Sequence, residues 1–191
     1  MNSKFEVTAS ETGGLKEVTL VNRDSEECLS IIPDLGCRIN NVSLRKNDVI
    51  YSVVRKINSP DLTNRDNTFN NVKLFPYANR VKDGTYTHGD KTYNLPLNYF
   101  EENNSAHGFV YNRSFEFLGT RSGYSGSLLF RYDYPGDLEG YPFRFSLLIS
   151  FILKETGEII SLSHRWAYSP DESSLEEVVY DKEPVGAAIV F

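Results

Sequence analysis

The sequence contains few of the residues that usually build metal sites and disulfide scaffolds. Its 191 residues include two cysteines and three histidines. Cys28 and Cys37 flank a turn, but a cytosolic chain normally keeps its thiols reduced, so we expect two buried thiols and not a disulfide. The three histidines stand far apart, and no two of them have metal-ligand spacing. We therefore expect no metal site.

Several motifs that define whole function classes are also missing. The sequence has no glycine-rich phosphate loop, no pair of cysteines two residues apart and no serine nucleophile elbow, so we expect no cofactor. Its formal charge is −6 and its lysines and arginines are dispersed, which argues against nucleic acid as a partner. The longest apolar run, at 145–153, is too short to cross a membrane, and the start has no apolar signal region. These features predict a cytoplasmic protein with no membrane partner.

What the sequence does contain is a strong alternation of apolar and polar residues, which is typical of β-strands. Residues 141–154 show it best, because their aromatic and aliphatic side chains fall on one face: Phe143, Phe145, Leu147, Ile149, Phe151 and Leu153. Residues 126–134 alternate in the same way, and shorter strands are predicted within 16–54, 91–98 and 113–119. A turn centred on Gly157 joins 141–154 to an antiparallel strand at 157–168, where His164 shares a face with Leu162 and Trp166.

The pattern predicts an all-β fold of antiparallel sheets packed face to face, in a single domain over residues 1–191. Two segments depart from it. Residues 169–180 carry a capping-box pattern and form either a short helix or an acidic loop. Residues 57–71 are polar and lack periodicity, which predicts a loop.

Polar residues of a kind that binds hydroxyl groups cluster in the central third of the chain. The segment "LFPYANRVKDGTY" (74–86) contains Asn79 and Arg80, and "AHGF" (106–109) contains His107. Arginine offers a planar fork of donors and asparagine offers both a donor and an acceptor, a combination that suits a sugar. The alternative is structural: Arg80 pairs with an acidic neighbour, Asn79 caps a turn and His107 is a loop histidine.

The same segments resemble the aldose 1-epimerases, the family of galactose mutarotases and their relatives. The resemblance is carried by "LFPYANRVKDGTYTHGDKTYNLPLN" followed by "NSAHGFVYN", and it extends over about residues 28–163. It implies a large antiparallel β-sandwich of the galactose mutarotase type. It also implies an isomerase that binds a free hexose and interconverts its α and β anomers.

By the same resemblance, Arg80 binds sugar hydroxyls with support from Asn79, and His107 contacts the sugar near its ring oxygen as a catalytic residue. In the family a glutamate acts as base and a histidine as acid. The family's second histidine follows a strand similar to "DKEPVGAAIVF" (181–191), and neither it nor the base has a counterpart in this chain. His164, Glu176 and Glu177 are poor substitutes. We therefore expect a sandwich that is incomplete at its C-terminus and a chain with little activity.

Two other interpretations of the same residues stay open. The first is a non-catalytic carbohydrate-binding β-sandwich, and the second is a structural domain that self-associates through an open sheet edge. The sequence does not identify the sugar. A hexose phosphate is an alternative to a free hexose, because Lys82 and Lys91 lie close to Arg80 in the sequence.

Overall fold

The computed structural model describes residues 3–12, 14–57 and 69–167, which form thirteen β-strands and two short 3-10 turns. The strands are β1 (Phe5–Thr12), β2 (Leu15–Asn22), β3 (Cys28–Ile32), β4 (Arg38–Lys46), β5 (Val49–Ser52), β6 (Arg80–Lys82), β7 (Thr85–His88), β8 (Lys91–Asn94), β9 (Asn104–Ala106), β10 (Glu116–Ser122), β11 (Ser125–Tyr134), β12 (Phe145–Lys154) and β13 (Ile159–Ala167).

Two antiparallel sheets make up most of the fold. The first has the order β1-β2-β3-β4-β5, and the second has the order β10-β11-β12-β13. Two small ladders, β6 with β9 and β7 with β8, form in the stretch of chain between these sheets. The predicted all-β fold of antiparallel strands is confirmed.

The core lies between the two sheets, where apolar side chains of β2 and β3 meet those of β11 and β12. Leu20, Leu128 and Phe151 are all fully buried there. The sheets approach closely at Gly126, where an added Cβ would lie 2.6 Å from Cδ1 of Leu20. These contacts make the two sheets a β-sandwich.

The predicted alternation is confirmed in the central strands and wrong in the segment 91–98. The inward residues of β12 are all buried: Phe145, Leu147, Ile149, Phe151 and Leu153. The strand expected over 91–98 ends at Asn94, two residues before Pro96, which has no N–H to continue a ladder. Phe115 and Phe117 share the core side of their strand, because Phe115 packs on Tyr132 and Phe117 lies opposite the buried Phe130, although Phe117 is still 38% exposed on the outer strand β10.

The hairpin predicted around Gly157 is present, with Gly157 at φ +81° between β12 and β13. His164 is exposed on β13, on the face opposite the core. The helix expected over 169–180 and most of the loop expected over 57–71 lie outside the described residues. Cys28 and Cys37 are both free thiols, and Cys37 is buried.

β5 is the outer strand of the first sheet, and all four of its residues are exposed. Val49 and Tyr51 are the most exposed apolar side chains on it. Self-association through such an edge stays a prediction. Within the described residues, no helix is long and apolar enough to span a membrane.

Candidate functional site

The β6–β9 ladder brings together the two segments that carry the predicted site residues. Arg80 lies directly opposite Ala106 in the ladder. One step further along, the backbone N–H of His107 donates to the carbonyl of Asn79 at 3.2 Å. Asn79, Arg80 and His107, the three residues singled out in the sequence, are therefore neighbours in the fold.

The backbone at His107 takes a conformation that residues other than glycine seldom adopt. His107 and Gly108 both have φ of +68°. Gly108 is packed so tightly that an added Cβ would lie 1.9 Å from the carbonyl oxygen of Phe75. That carbonyl also accepts hydrogen bonds from the N–H groups of Phe109 and Val110, at 2.9 and 3.3 Å. The His-Gly pair is thus a fixed corner of the fold.

The hydrogen bonding of the His107 ring determines which of its nitrogens can meet a ligand. Nδ1 lies 3.0 Å from the carbonyl oxygen of Ala78. A carbonyl only accepts, so Nδ1 carries the proton in this contact. Nε2 is then the nitrogen that can accept a hydrogen bond when the ring is neutral, or donate one when it is protonated.

Arg80 is exposed and rests on an aromatic ring. Its guanidinium carbon lies 5.0 Å from the centre of the Tyr99 ring, a cation–π arrangement. No carboxylate among residues 3–12, 14–57 and 69–167 forms an ion pair with it, so the structural alternative of an Arg80–acid pair is not found there. The other half of that alternative is present, because Oδ1 of Asn79 accepts from the backbone N–H of Arg80 at 2.9 Å.

Aromatic residues lie next to His107, and the sequence analysis did not predict them. The ring centres of Phe69 and Tyr99 lie 4.6 and 5.9 Å from that of His107. Tyr111 extends the cluster at 4.8 Å from Phe69. These residues come from three separate loops, so no periodicity marks them. The only signal for Tyr99 was its place directly after the "LPLN" segment.

A cavity of about 140 Å³ is lined in part by Tyr77, Ser105 and Gly108, and shares Tyr111 with this cluster. The hydroxyls of Tyr77 and Ser105 are 2.6 Å apart. Burial raises the pKa of the Tyr77 phenol above its ordinary value, so the phenol stays protonated near neutral pH and is not a general base. A larger groove of about 630 Å³, lined by Lys16 and Glu17 among others, contains none of the predicted site residues.

The described residues offer no metal centre, since no three His, Cys, Asp or Glu side chains among them lie close enough to hold an ion.

Comparison with known proteins decides the family. The family model "Aldose 1-epimerase" matches residues 16–167. The chain belongs to the aldose 1-epimerase family. No curated protein matches the chain significantly.

Several solved structures superpose on this chain. A galactose 1-epimerase from Lactobacillus acidophilus superposes with a TM-score of 0.67 at 20% identity, covering 87% of this chain and 49% of that one. A galactose mutarotase-like protein from Clostridium acetobutylicum gives 0.68 at 22% identity, covering 87% and 50%. The GalM/aldose epimerase homologue from C. elegans gives 0.61 at 18% identity, covering 88% and 47%.

This epimerase-family chain spans about half the length of the solved structures that it matches. The family match and the shared fold confirm the resemblance read from the sequence. Asn79, Arg80 and His107 all lie within the matched span. Their roles at a sugar are proposals.

Proposed function

We propose that the cluster around Arg80 and His107 binds a free hexose. One observation carries this proposal: the Arg80 guanidinium and the His107 ring lie 5.0 and 5.9 Å from the centre of the same ring, that of Tyr99. A donor fork, an imidazole and an aromatic ring therefore lie next to one another. Those are the three kinds of group that a sugar needs, since its hydroxyls require donors and acceptors and its C–H face packs on aromatic rings.

Each residue has a distinct part in this proposal. The planar guanidinium of Arg80 can donate to two neighbouring hydroxyl oxygens at once. Asn79 supports it, because the Asn79 side chain binds the Arg80 backbone N–H. His107 presents Nε2 to the sugar while Nδ1–H stays bonded to Ala78.

The proposed reaction is the interconversion of hexose anomers. A base removes the proton from the anomeric hydroxyl, the bond between the anomeric carbon and the ring oxygen breaks, and an acid protonates that oxygen. Closure on the other face of the resulting carbonyl reverses these proton transfers, so atoms and protons balance. To act as the acid through Nε2, His107 must start as imidazolium.

Among the described residues, no carboxylate is hydrogen-bonded to His107, and we propose no base from them. The proposal therefore predicts that the 191-residue chain accelerates mutarotation little. Polarimetry on fresh α-galactose and α-glucose measures this directly, with His107→Ala and His88→Ala as matched variants. A large acceleration that is lost in His107→Ala and kept in His88→Ala would contradict the prediction and show that the chain supplies a base.

A second candidate is a carbohydrate-binding module without catalysis, because the Arg80–Tyr99 pair offers donors and an aromatic ring without using His107. In that case sugar binding survives His107→Ala and fails in Arg80→Ala. Binding that fails in both variants favours the isomerase site, in which His107 contacts the sugar.

The ligand class can be tested at the same site. Lys82 lies two residues after Arg80 on β6, so both side chains are on one face of that strand. A hexose 6-phosphate that binds more tightly than the free hexose, and loses this advantage in Lys82→Ala, would favour a phosphorylated substrate. Equal binding of the two sugars favours the free hexose.

A further inference from the structure

Asn98 makes an unusual pair of hydrogen bonds beside the site. Its Nδ2 donates to the carbonyl of Ala106 at 2.8 Å, and its Oδ1 accepts from the N–H of the same residue at 2.7 Å. Ala106 is fully buried. Without Asn98, both backbone groups of Ala106 would lose their partner away from water, which is costly.

The direction of these bonds shows what Asn98 replaces. Ala106 faces Arg80 in the β6–β9 ladder, but its backbone polar groups point to the other side, toward Asn98. The next residue, His107, turns its N–H back to Asn79. The Asn98 amide thus occupies the place of a third strand at the edge of β9, directly before the left-handed residue His107.

Asn98 also connects the ring of Tyr99 to the same point. The N–H groups of Asn98 and Tyr99 both donate to the carbonyl of Asn104, at 3.2 and 3.1 Å. The N–H of Asn104 returns a bond to Tyr99 at 3.0 Å. The loop that carries Tyr99 is therefore tied to β9 by backbone bonds at Asn104 and by the Asn98 side chain at Ala106.

We propose that Asn98 is a positioning residue for His107. By holding both backbone groups of Ala106, it fixes the His107 backbone so that Nδ1 donates to Ala78 and Nε2 is the nitrogen open to a sugar. The use of Nε2 rests on the proposed function, whereas the orientation of the ring does not. This makes the two claims separable by experiment.

The test is to measure the tautomer of the His107 ring by long-range ¹H–¹⁵N NMR. The chain has three histidines, so His88 and His164 are internal references in the same spectrum. In the wild type we expect neutral His107 to carry its proton on Nδ1. In Asn98→Ala we expect the Nδ1–H signature of His107 to be lost while the signals of His88 and His164 stay unchanged.

Two further variants sharpen the result. Asn98→Asp has the same size and keeps the acceptor for the Ala106 N–H but loses the donor, so it tests the proposal even if Asn98→Ala does not fold. Asn103→Ala is the matched control, because Asn103 lies in the same loop and donates instead to Asp83 at 2.7 Å. We expect Asn98→Asp to alter the His107 signature and Asn103→Ala to leave it unchanged.

A wild-type His107 with its neutral proton on Nε2 would overturn the proposal, and so would an unchanged His107 signature in a folded Asn98 variant. Titration of the same samples with galactose reports on the function separately. A tautomer that depends on Asn98 in a protein that binds no sugar would leave the positioning role standing and refute the proposed function.

Discussion

At the scale of single residues, the corner formed by His107 and Gly108 depends on space as much as on backbone conformation. Gly108 combines a φ of +68° with a carbonyl oxygen 1.9 Å from where a Cβ would stand. Gly89 has a similar φ of +59° but nothing within 4 Å of that position. The two glycines therefore separate the effect of conformation from the effect of crowding.

We predict that Gly108→Ala lowers the free energy of unfolding by more than about 3 kcal/mol, because it adds a backbone clash to the conformational strain. Gly89→Ala carries only the strain and should cost about 1–2 kcal/mol. Urea denaturation of both variants measures the difference. Equal losses of unfolding free energy in the two variants would contradict the close contact between Gly108 and the carbonyl of Phe75.

Cys37 gives a prediction for the pH dependence of stability. Burial raises the pKa of its thiol well above the ordinary value of 9.0. Above that value the unfolded chain releases this proton and the folded chain keeps it, so stability falls as the pH rises. Lys73 has the opposite effect, because burial lowers the pKa of its amine.

Comparing the wild type with Cys37→Ala removes the effect of burial on Lys73, which is common to both proteins, and leaves the effect of burial on the Cys37 thiol, which outweighs its charge interaction with Lys73. The free energy of unfolding of the wild type, relative to that of the variant, should fall as the pH rises from about 8 to about 10. Urea denaturation at the two pH values measures this. A difference that does not change with pH would mean that the Cys37 thiol ionises in the folded protein as readily as in the unfolded one.

The sequence identified Asn79, Arg80 and His107 because they stand in recognisable motifs. It did not identify Phe69 or Tyr99, since a loop aromatic has no periodic neighbours that reveal what it faces. It also gave no role to Asn98, whose importance depends on a backbone bond to Ala106 that only the fold creates.

At the scale of elements, alternation predicted the strands whose two faces differ most in burial. β12 is such a strand, and its inward face was predicted residue by residue. Alternation failed in the strand expected over 91–98, because Pro96 has no N–H with which to continue the ladder. This local interruption overrides the apolar pattern.

We predict that Phe151→Ala in the central strand β12 costs about 3–5 kcal/mol, because it removes a fully buried ring from the core. Val49→Ala on the exposed edge strand β5 should change the free energy of unfolding by less than about 0.5 kcal/mol. Thermal or urea unfolding compares them. A small effect at Phe151 would contradict the described core.

At the scale of the whole molecule, the fold class follows from strand alternation, and the family resemblance follows from motifs within about residues 28–163, inside the 16–167 span that the family model matches. The closeness of the two motif segments could be predicted only through the resemblance, because nothing in their spacing says that 79–80 and 107 meet across a ladder. The chain spans about half the length of the solved structures it matches. Sugar binding is therefore the first property of this chain to measure.

The most direct test of the central claim is a titration of the chain with galactose and glucose by NMR or calorimetry. We predict saturable binding by the wild type and loss of binding in Arg80→Ala. Arg121→Ala, which removes an exposed arginine on β10, is the matched control and should bind as the wild type does. Binding that is absent in the folded wild type, or equally strong in Arg80→Ala, would contradict the claim that Arg80 and His107 form a sugar site.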